Sequence, residues 1–106
     1  MSAPPMRVIT TEEIKKALTM AEAIKAVREA FIQLSTGLAK VPARTAIEVP
    51  GSRTTALVMP AYLPGTKRIG LKLISLCENN PAKGLPLAQA VTVIMDAETG
   101  VPLAVL

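Results

Sequence analysis

The sequence predicts an α+β domain in which two N-terminal helices pack on a mostly antiparallel or mixed β-sheet. Apolar side chains recur at helical spacing up to residue 37, whereas from residue 43 onward they alternate with a period of two. Segments rich in glycine, proline and asparagine separate the alternating runs. Helices followed by strands in this order predict two layers, in which the apolar side of the helices covers one face of the sheet.

Capping signals mark the predicted helix starts. Thr10 with Glu13, and Thr19 with Glu22, have the spacing at which a threonine and a glutamate three residues later satisfy each other's N–H groups. Gly37 predicts the helix end, because glycine adopts the left-handed conformation at little cost. In the second helix the apolar positions step by three, four and three residues and form a stripe: Ile24, Val27, Phe31 and Leu34.

Five strands are predicted after the helices. They cover residues 43–49, 55–63, 68–77, 87–96 and the segment from 101. Pro60 predicts an edge or a bulge, since proline cannot donate to a strand ladder. Before the helices, Val8 and Ile9 can add an edge strand. The last strand reaches Leu106 without a polar tail, so we expect residues 1–106 to be one truncated domain at the front of a longer polypeptide.

Composition argues against several classes of function. Half of the residues are hydrophobic but only 2% are aromatic, which predicts an aliphatic core and few rings for stacking nucleic-acid bases. The basic residues behind the net charge of +4 are scattered, so no nucleic-acid partner is expected. One cysteine excludes an internal disulfide, and the absence of histidine excludes a Ser–His or Cys–His pair. No apolar run suits a membrane span or a signal peptide, which favours a cytoplasmic protein without a membrane partner.

No motif for a metal or a nucleotide is found in the sequence. The segment Gly65 to Lys72 departs from a phosphate-binding loop, because Leu71 intervenes before the lysine and Leu73 follows it. The three-glycine dinucleotide motif between a strand and a helix does not occur. The acidic residues lie at helix starts and in a turn. We therefore predict no metal ligand and no cofactor-binding residue within residues 1–106.

A lysine in the third predicted strand needs a chemical explanation. Lys72 shares its face with Gly70, Ile74 and Leu76, where an ammonium group is costly unless it is paired or reaches water. In one interpretation Lys72 lies near a strand end and extends its ammonium group into solvent. In the other it belongs to an anion pocket, in which Arg44 binds a carboxylate through two parallel hydrogen bonds and Lys72 adds a point charge. The residues alone leave both interpretations open.

Five segments between Met6 and Leu106 carry a family resemblance. They are "MRVITTEEIKKALTMAEAIKAVREAF", "VPARTAIEVP", "LVMPAYLPG", "IGLKLISL" with "NNPAKGLP", and "DAETGVPLAVL". In this order they resemble the N-terminal part of the ornithine cyclodeaminase/mu-crystallin family. The resemblance implies a substrate-binding and dimerisation domain that forms a homodimer. It also implies that a Rossmann domain binding NAD or NADP follows in the full-length protein.

The resemblance also implies site residues. Arg44 in "PAR" matches the family's substrate-carboxylate arginine, and Lys72 in "GLK" matches its strand lysine, beside a cavity for a small amino acid or cyclic imino acid. A lysine kept neutral by burial can exchange a proton with the substrate nitrogen, which makes Lys72 the candidate catalytic residue as well. Met59 in "VMP" and Gln89 in "LAQA" are further substrate-binding candidates.

The resulting hypothesis is the N-terminal part of an NAD(P)-dependent enzyme of cyclodeaminase, alanine dehydrogenase or cyclic-imine reductase type. Because a second substrate arginine and the dinucleotide domain of the family are not among these residues, we expect no enzymatic activity from the 106 residues alone. The alternative is a non-catalytic dimerisation or small-ligand-binding module. The choice of substrate, and of NAD or NADP, depends on residues outside this sequence.

Overall fold

The computed structural model describes residues 4–106 and confirms the α+β class. The elements are α1 (Thr11–Ala17) and α2 (Met20–Ser35), with the strands β1 (Arg7–Val8), β2 (Thr45–Val49), β3 (Thr54–Leu63), β4 (Arg68–Cys77), β5 (Ala88–Asp96) and β6 (Pro102–Val105). The strands form a single six-stranded sheet in the order β1-β6-β5-β4-β3-β2. The sheet is mixed, because β1 pairs with β6 in parallel and the other neighbours are antiparallel.

Both helices begin where the capping signals predict. The Thr10 hydroxyl oxygen accepts from the Glu13 N–H at 3.2 Å, and the Glu13 carboxylate accepts from the Thr10 N–H at 3.4 Å. At α2, Thr19 accepts from the Glu22 N–H at 3.2 Å. The chain leaves α2 through Gly37 at φ +78°, as predicted for the helix end. No helix within residues 4–106 is long and apolar enough to cross a membrane.

The apolar stripe of α2 does not lie against the sheet, and this part of the prediction is wrong. The exposed fraction of its four residues runs from 47% at Leu34 to 61% at Phe31. The helix instead contacts the turn between β3 and β4, where the Gln33 side-chain oxygen accepts from the Gly65 N–H at 2.9 Å. The amphipathic pattern therefore identifies an apolar face but does not identify what covers it.

The centre of the sheet is the long hairpin of β3 and β4, paired from Thr54–Cys77 to Leu63–Arg68. Pro60 lies inside β3 without breaking a ladder. Tyr62, two residues later, points its N–H away from β4 and donates to the Lys40 carbonyl at 2.8 Å. The Pro60 nitrogen points in the same direction as the Tyr62 N–H. It lies beyond Val58, the last residue of β3 that pairs with β2. On this side β3 has no β2 partner at Pro60, so the proline occupies an edge position, as the sequence predicts.

The chain exposes more surface than a compact domain. Its accessible area is 8078 Å², whereas a compact monomer of this size exposes about 5,700 Å². Its radius of gyration is 16.0 Å, against about 13 Å for a compact domain of this length. Within residues 4–106 no hydrophobic side chain is fully buried. Much of the apolar surface can therefore be removed from water only by contact with other protein.

One carboxylate organises the turn between β5 and β6. The Asp96 side chain accepts hydrogen bonds from the backbone N–H groups of Thr99 and Glu98, both at 2.9 Å, and from the Thr99 hydroxyl at 3.1 Å. These backbone hydrogen bonds, Thr99 first, lower the pKa of Asp96 from its ordinary 3.8. The Arg68 guanidinium, 3.6 Å away, lowers it a little further.

We expect the folded state to lose stability as the pH falls through this lowered pKa. Because the pKa of Asp96 is lower in the folded than in the unfolded state, its stabilisation is complete above about pH 5 and is lost below the folded value. Asp96→Asn should melt a few degrees lower at neutral pH and depend less on pH in the acid range. Thermal denaturation across a pH series measures both, with Glu98→Gln as the control. Parallel pH profiles for parent and Asp96→Asn would contradict the prediction.

Candidate functional site

Met59 and Lys72 lie in one row across the sheet, and Arg44 lies at the start of the neighbouring strand β2. Met59 pairs with Lys72, and Lys72 pairs with Thr92 on β5. Arg44 directly precedes β2, whose first pair is Thr45 with Val58, the neighbour of Met59 on β3. Opposed residues of antiparallel strands project from the same face. We call these four residues, Arg44, Met59, Lys72 and Thr92, the cationic row.

The geometry of the row allows its two cations to share one ligand. Neighbouring strands lie about 4.8 Å apart, so the backbones of Arg44 and Lys72, two strands apart, are separated by about 10 Å. Both side chains are long enough to converge on a small anion above the Met59–Lys72 pair. Arg44 is exposed and Lys72 is half-buried.

The surroundings of Lys72 bear on the two interpretations of this residue. Lys72 is the fifth of the ten residues of β4, so it does not lie near a strand end as the first interpretation requires. In the part of the chain that the structure describes, the ion pairs are Arg53–Glu78 and Arg68–Asp96, and neither includes Arg44 or Lys72. Two cations without a protein counterion on one face favour an external anion as their partner.

A small hollow lies beside the cationic row on the same face of the sheet. Its volume is about 280 Å³, and Ala61, Gly70 and Ile94 are among the residues that line it. Ala61 and Gly70 are two residues along their strands from Met59 and Lys72, so they share the face of the row. A Cβ at Gly70 would meet the Ile94 side chain at 3.8 Å, an ordinary contact. Thr66 and Arg68 also line the hollow, whereas none of the four residues of the row does, so the hollow lies one step along the strands from Met59 and Lys72.

Gln89 lies on the face of the sheet opposite to Lys72, and its expected substrate-binding role stays a prediction. It pairs with Ser75, three residues along β4 from Lys72, and an odd separation on a strand reverses the face. There it lines a cleft of about 300 Å³ together with Leu73 and Val91. Among the described residues Met59, but not Gln89, shares the face of Lys72. The resemblance of a segment identifies a strand but does not specify which face each of its residues occupies.

The face that carries Gln89 is apolar and exposed. Four large aliphatic side chains on it keep between 37% and 53% of their surface in water: Ile47, Leu71, Leu73 and Val91. We call these residues the apolar face. A larger cleft of about 520 Å³ lies toward the same side and is lined in part by Pro60, Tyr62 and Ile69, but neither Arg44 nor Lys72 lines it. Both faces of the sheet thus carry aliphatic side chains, and Lys72 places a cation among those of one face.

The residues present do not form a dinucleotide site. Among the described glycines at positive φ, Gly37 ends α2, and Gly51, Gly84 and Gly100 lie in turns that lead into strands. None of these positions opens a helix, as the phosphate-binding turn of a dinucleotide domain requires. Residues 4–106 also contain no group of three or more histidine, cysteine or acidic side chains that could hold a metal ion.

Thr92 is the residue of the row that sequence reasoning missed. Only the pairing of β4 with β5 places Thr92 beside Lys72, and this pairing depends on the conformation of the loop of residues 78–87. The alternation within β5 restricts Thr92 to one of two faces, but it does not say which residue of β4 lies opposite.

Comparison with known proteins gives consistent matches. Residues 6–106 match the model of the ornithine cyclodeaminase/mu-crystallin family. An alanine dehydrogenase from Archaeoglobus fulgidus is 38% identical over 99 residues, which are 93% of this chain and 30% of that protein. The chain therefore spans less than a third of the length of this relative.

Two solved structures share the fold at comparable identity. Δ(1)-pyrroline-2-carboxylate reductase from Thermococcus litoralis, in complex with NADH and L-proline, matches with a TM-score of 0.89 and 39% identity over 94% of this chain and 31% of that chain. An archaeal alanine dehydrogenase dimer with bound NAD matches with a TM-score of 0.86 and 36% identity over 94% of this chain and 30% of that chain.

Proposed function

Because the chain belongs to the ornithine cyclodeaminase/mu-crystallin family, we propose that it is the substrate-binding and dimerisation part of an NAD(P)-dependent enzyme that acts on a small amino or cyclic imino acid. The observation that supports the proposal is the cationic row, in which Lys72 pairs with Met59 and Arg44 directly precedes the neighbouring strand β2. In this proposal NAD or NADP binds to a domain outside residues 1–106, and we call the whole polypeptide the full-length protein.

The row accounts for recognition of the acid group. The planar guanidinium of Arg44 can form two parallel hydrogen bonds with a carboxylate, and the Lys72 ammonium group adds a second positive charge. With its carboxylate fixed in this way, the substrate presents its nitrogen and α-carbon in a defined orientation above the sheet. Lys72 then lies within reach of the substrate nitrogen and can exchange a proton with it.

The hollow beside the row supports a small aliphatic substrate. Its volume of about 280 Å³ lies just below the range typical of pockets for drug-sized ligands. Ala61, Gly70 and Ile94 give it an apolar lining beside Thr66 and Arg68, which suits a few methylene groups. L-proline in the Thermococcus litoralis structure has a body of this kind.

A second candidate function is a non-catalytic dimerisation or ligand-binding module. The observation that favours it is the apolar face, whose exposed aliphatic side chains suit association with a second copy. Turnover by the full-length protein separates the two candidates, because a module of this kind binds an amino acid without converting it.

The test is a titration of the full-length protein with L-alanine, L-proline and L-ornithine in the presence of NAD or NADP. Removing a charged hydrogen-bonding group usually lowers affinity by one to two orders of magnitude, so we expect Arg44→Ala to weaken binding of the preferred acid by about 10- to 100-fold. Arg53→Ala is the matched control, because Arg53 pairs with Glu78 away from the row. Equal affinities in the parent and Arg44→Ala would refute the role of the row.

A further inference from the structure

We propose that Thr92 is a further substrate-binding residue and that its hydroxyl donates a hydrogen bond to the substrate carboxylate. The proposal rests on the proposed function and adds a third contact to the site. Arg44 and Lys72 then bind the carboxylate from the β2 side and from below, and Thr92 binds it from the β5 side.

Backbone pairing places Thr92 beside Lys72. The Thr92 N–H donates to the Leu106 carbonyl at 3.0 Å, and the Leu106 N–H donates to the Thr92 carbonyl at 2.8 Å. The backbone polar groups of Thr92 therefore point away from β4, so Thr92 and Lys72 form the non-hydrogen-bonded type of antiparallel pair. In such pairs the Cα atoms lie about 4.5 Å apart and the side chains are at their closest.

The Thr92 hydroxyl has no partner among the described residues. The hydroxyls of six other threonines take part in hydrogen bonds within the chain: Thr10, Thr19, Thr36, Thr54, Thr66 and Thr99. Thr92 is half-buried, and its same-face neighbours along β5 are Ala90 and Ile94, which offer no polar side chain. A half-buried hydroxyl in apolar surroundings has a desolvation cost that a ligand acceptor would remove.

Charge and reach identify the ligand class. A hydroxyl next to the Lys72 ammonium group meets an acceptor if the ligand is an anion, and a carboxylate offers about four lone-pair positions on two oxygens. Arg44 can occupy two of them, which leaves positions on the other side for Lys72 and Thr92. The thioether of Met59, between the two cations, contributes an apolar floor. These contacts suit the carboxylate of an α-amino or α-imino acid.

The test compares three variants of the full-length protein. Thr92→Val keeps the shape and removes the hydroxyl, so we expect the KM and Kd for L-proline or L-alanine to rise about tenfold with little change in kcat. Thr92→Ser, which restores the hydroxyl, should bind within about twofold of the parent. Thr55→Val is the matched control, because Thr55 is also half-buried on the same face but lies four residues along β3 from Met59.

A ligand without the acid group provides a readout that a structural role would not produce. Pyrrolidine has the ring of proline but no carboxylate, so Thr92→Val should not change its inhibition constant. Unchanged affinity for the amino acid in Thr92→Val would overturn this inference alone. So would equal losses in Thr92→Val and Thr55→Val, or an equal loss for pyrrolidine. A parent protein without affinity for any amino or imino acid would overturn the proposed function together with this inference.

Discussion

Lys72→Met is expected to reduce kcat/KM of the full-length protein for its amino-acid substrate by about a thousandfold or more. The substitution removes a positive charge from the carboxylate site and also removes the group proposed to exchange a proton with the substrate nitrogen. General acid–base groups typically contribute 10²- to 10⁴-fold to a rate, to which the lost charge adds. Methionine retains most of the length of the lysine stem, so packing along β4 is preserved.

The stability of the same variant separates a functional role from a structural one. A half-buried ammonium group without a protein counterion costs folding free energy, so Lys72→Met should melt at the same temperature as the parent or higher. Steady-state kinetics and thermal denaturation on one preparation measure the two effects, with Lys40→Met as the control. If KM rises while kcat stays constant, Lys72 contributes charge and not proton transfer. Activity within tenfold of the parent would exclude both roles.

Leu73→Glu is expected to convert a dimeric protein into a monomer. Leu73 pairs with Val91 across β4 and β5, and both keep 47% of their surface exposed within this chain. The chain exposes about 2,400 Å² more surface than a compact monomer of its size. This excess is as large as the total area that many protein–protein interfaces bury. In a two-fold interface the same residue occurs on both subunits, so one substitution introduces two carboxylates into an apolar contact.

Light scattering on the peak that elutes from a size-exclusion column measures the mass of the full-length parent protein and of the variant. Leu85→Glu is the control, since Leu85 is 49% exposed but precedes β5 in a loop outside the apolar face. We expect dimers for the parent and Leu85→Glu and monomers for Leu73→Glu. A parent that elutes as a monomer would contradict the assignment of the apolar face to self-association, and the cationic row would be unaffected.

The two large effects are expected to be separable because they arise on opposite faces of the same sheet. Lys72 and Leu73 are neighbours in sequence, and alternation along β4 sends their side chains to opposite sides. Lys72→Met should therefore preserve the oligomeric state. Any loss of activity in Leu73→Glu would then indicate that the site depends on the second copy.

Local signals were sufficient to predict the elements and the turn positions. The caps at Thr10 and Thr19, the left-handed exit at Gly37 and the strand 68–77 all lie where the sequence places them. Each of these features depends on interactions among residues only a few positions apart, and such interactions are present in any window of the sequence. The resemblance of ordered segments was likewise sufficient to identify the family, whereas the roles of Arg44 and Lys72 stay predictions.

Only the tertiary structure decided which residues share a level and a face. The register of β4 against β3 and β5 placed Met59 and Thr92 beside Lys72 and sent Gln89 to the other side. A shift of one residue in the pairing of two strands would move every side chain of one strand to the opposite face of the sheet. The loops that set this register bring together residues that are distant in sequence, so no local pattern encodes it. The same reason explains the α2 stripe, because periodicity defines an apolar side of a helix, whereas contact with the sheet depends on how distant segments pack.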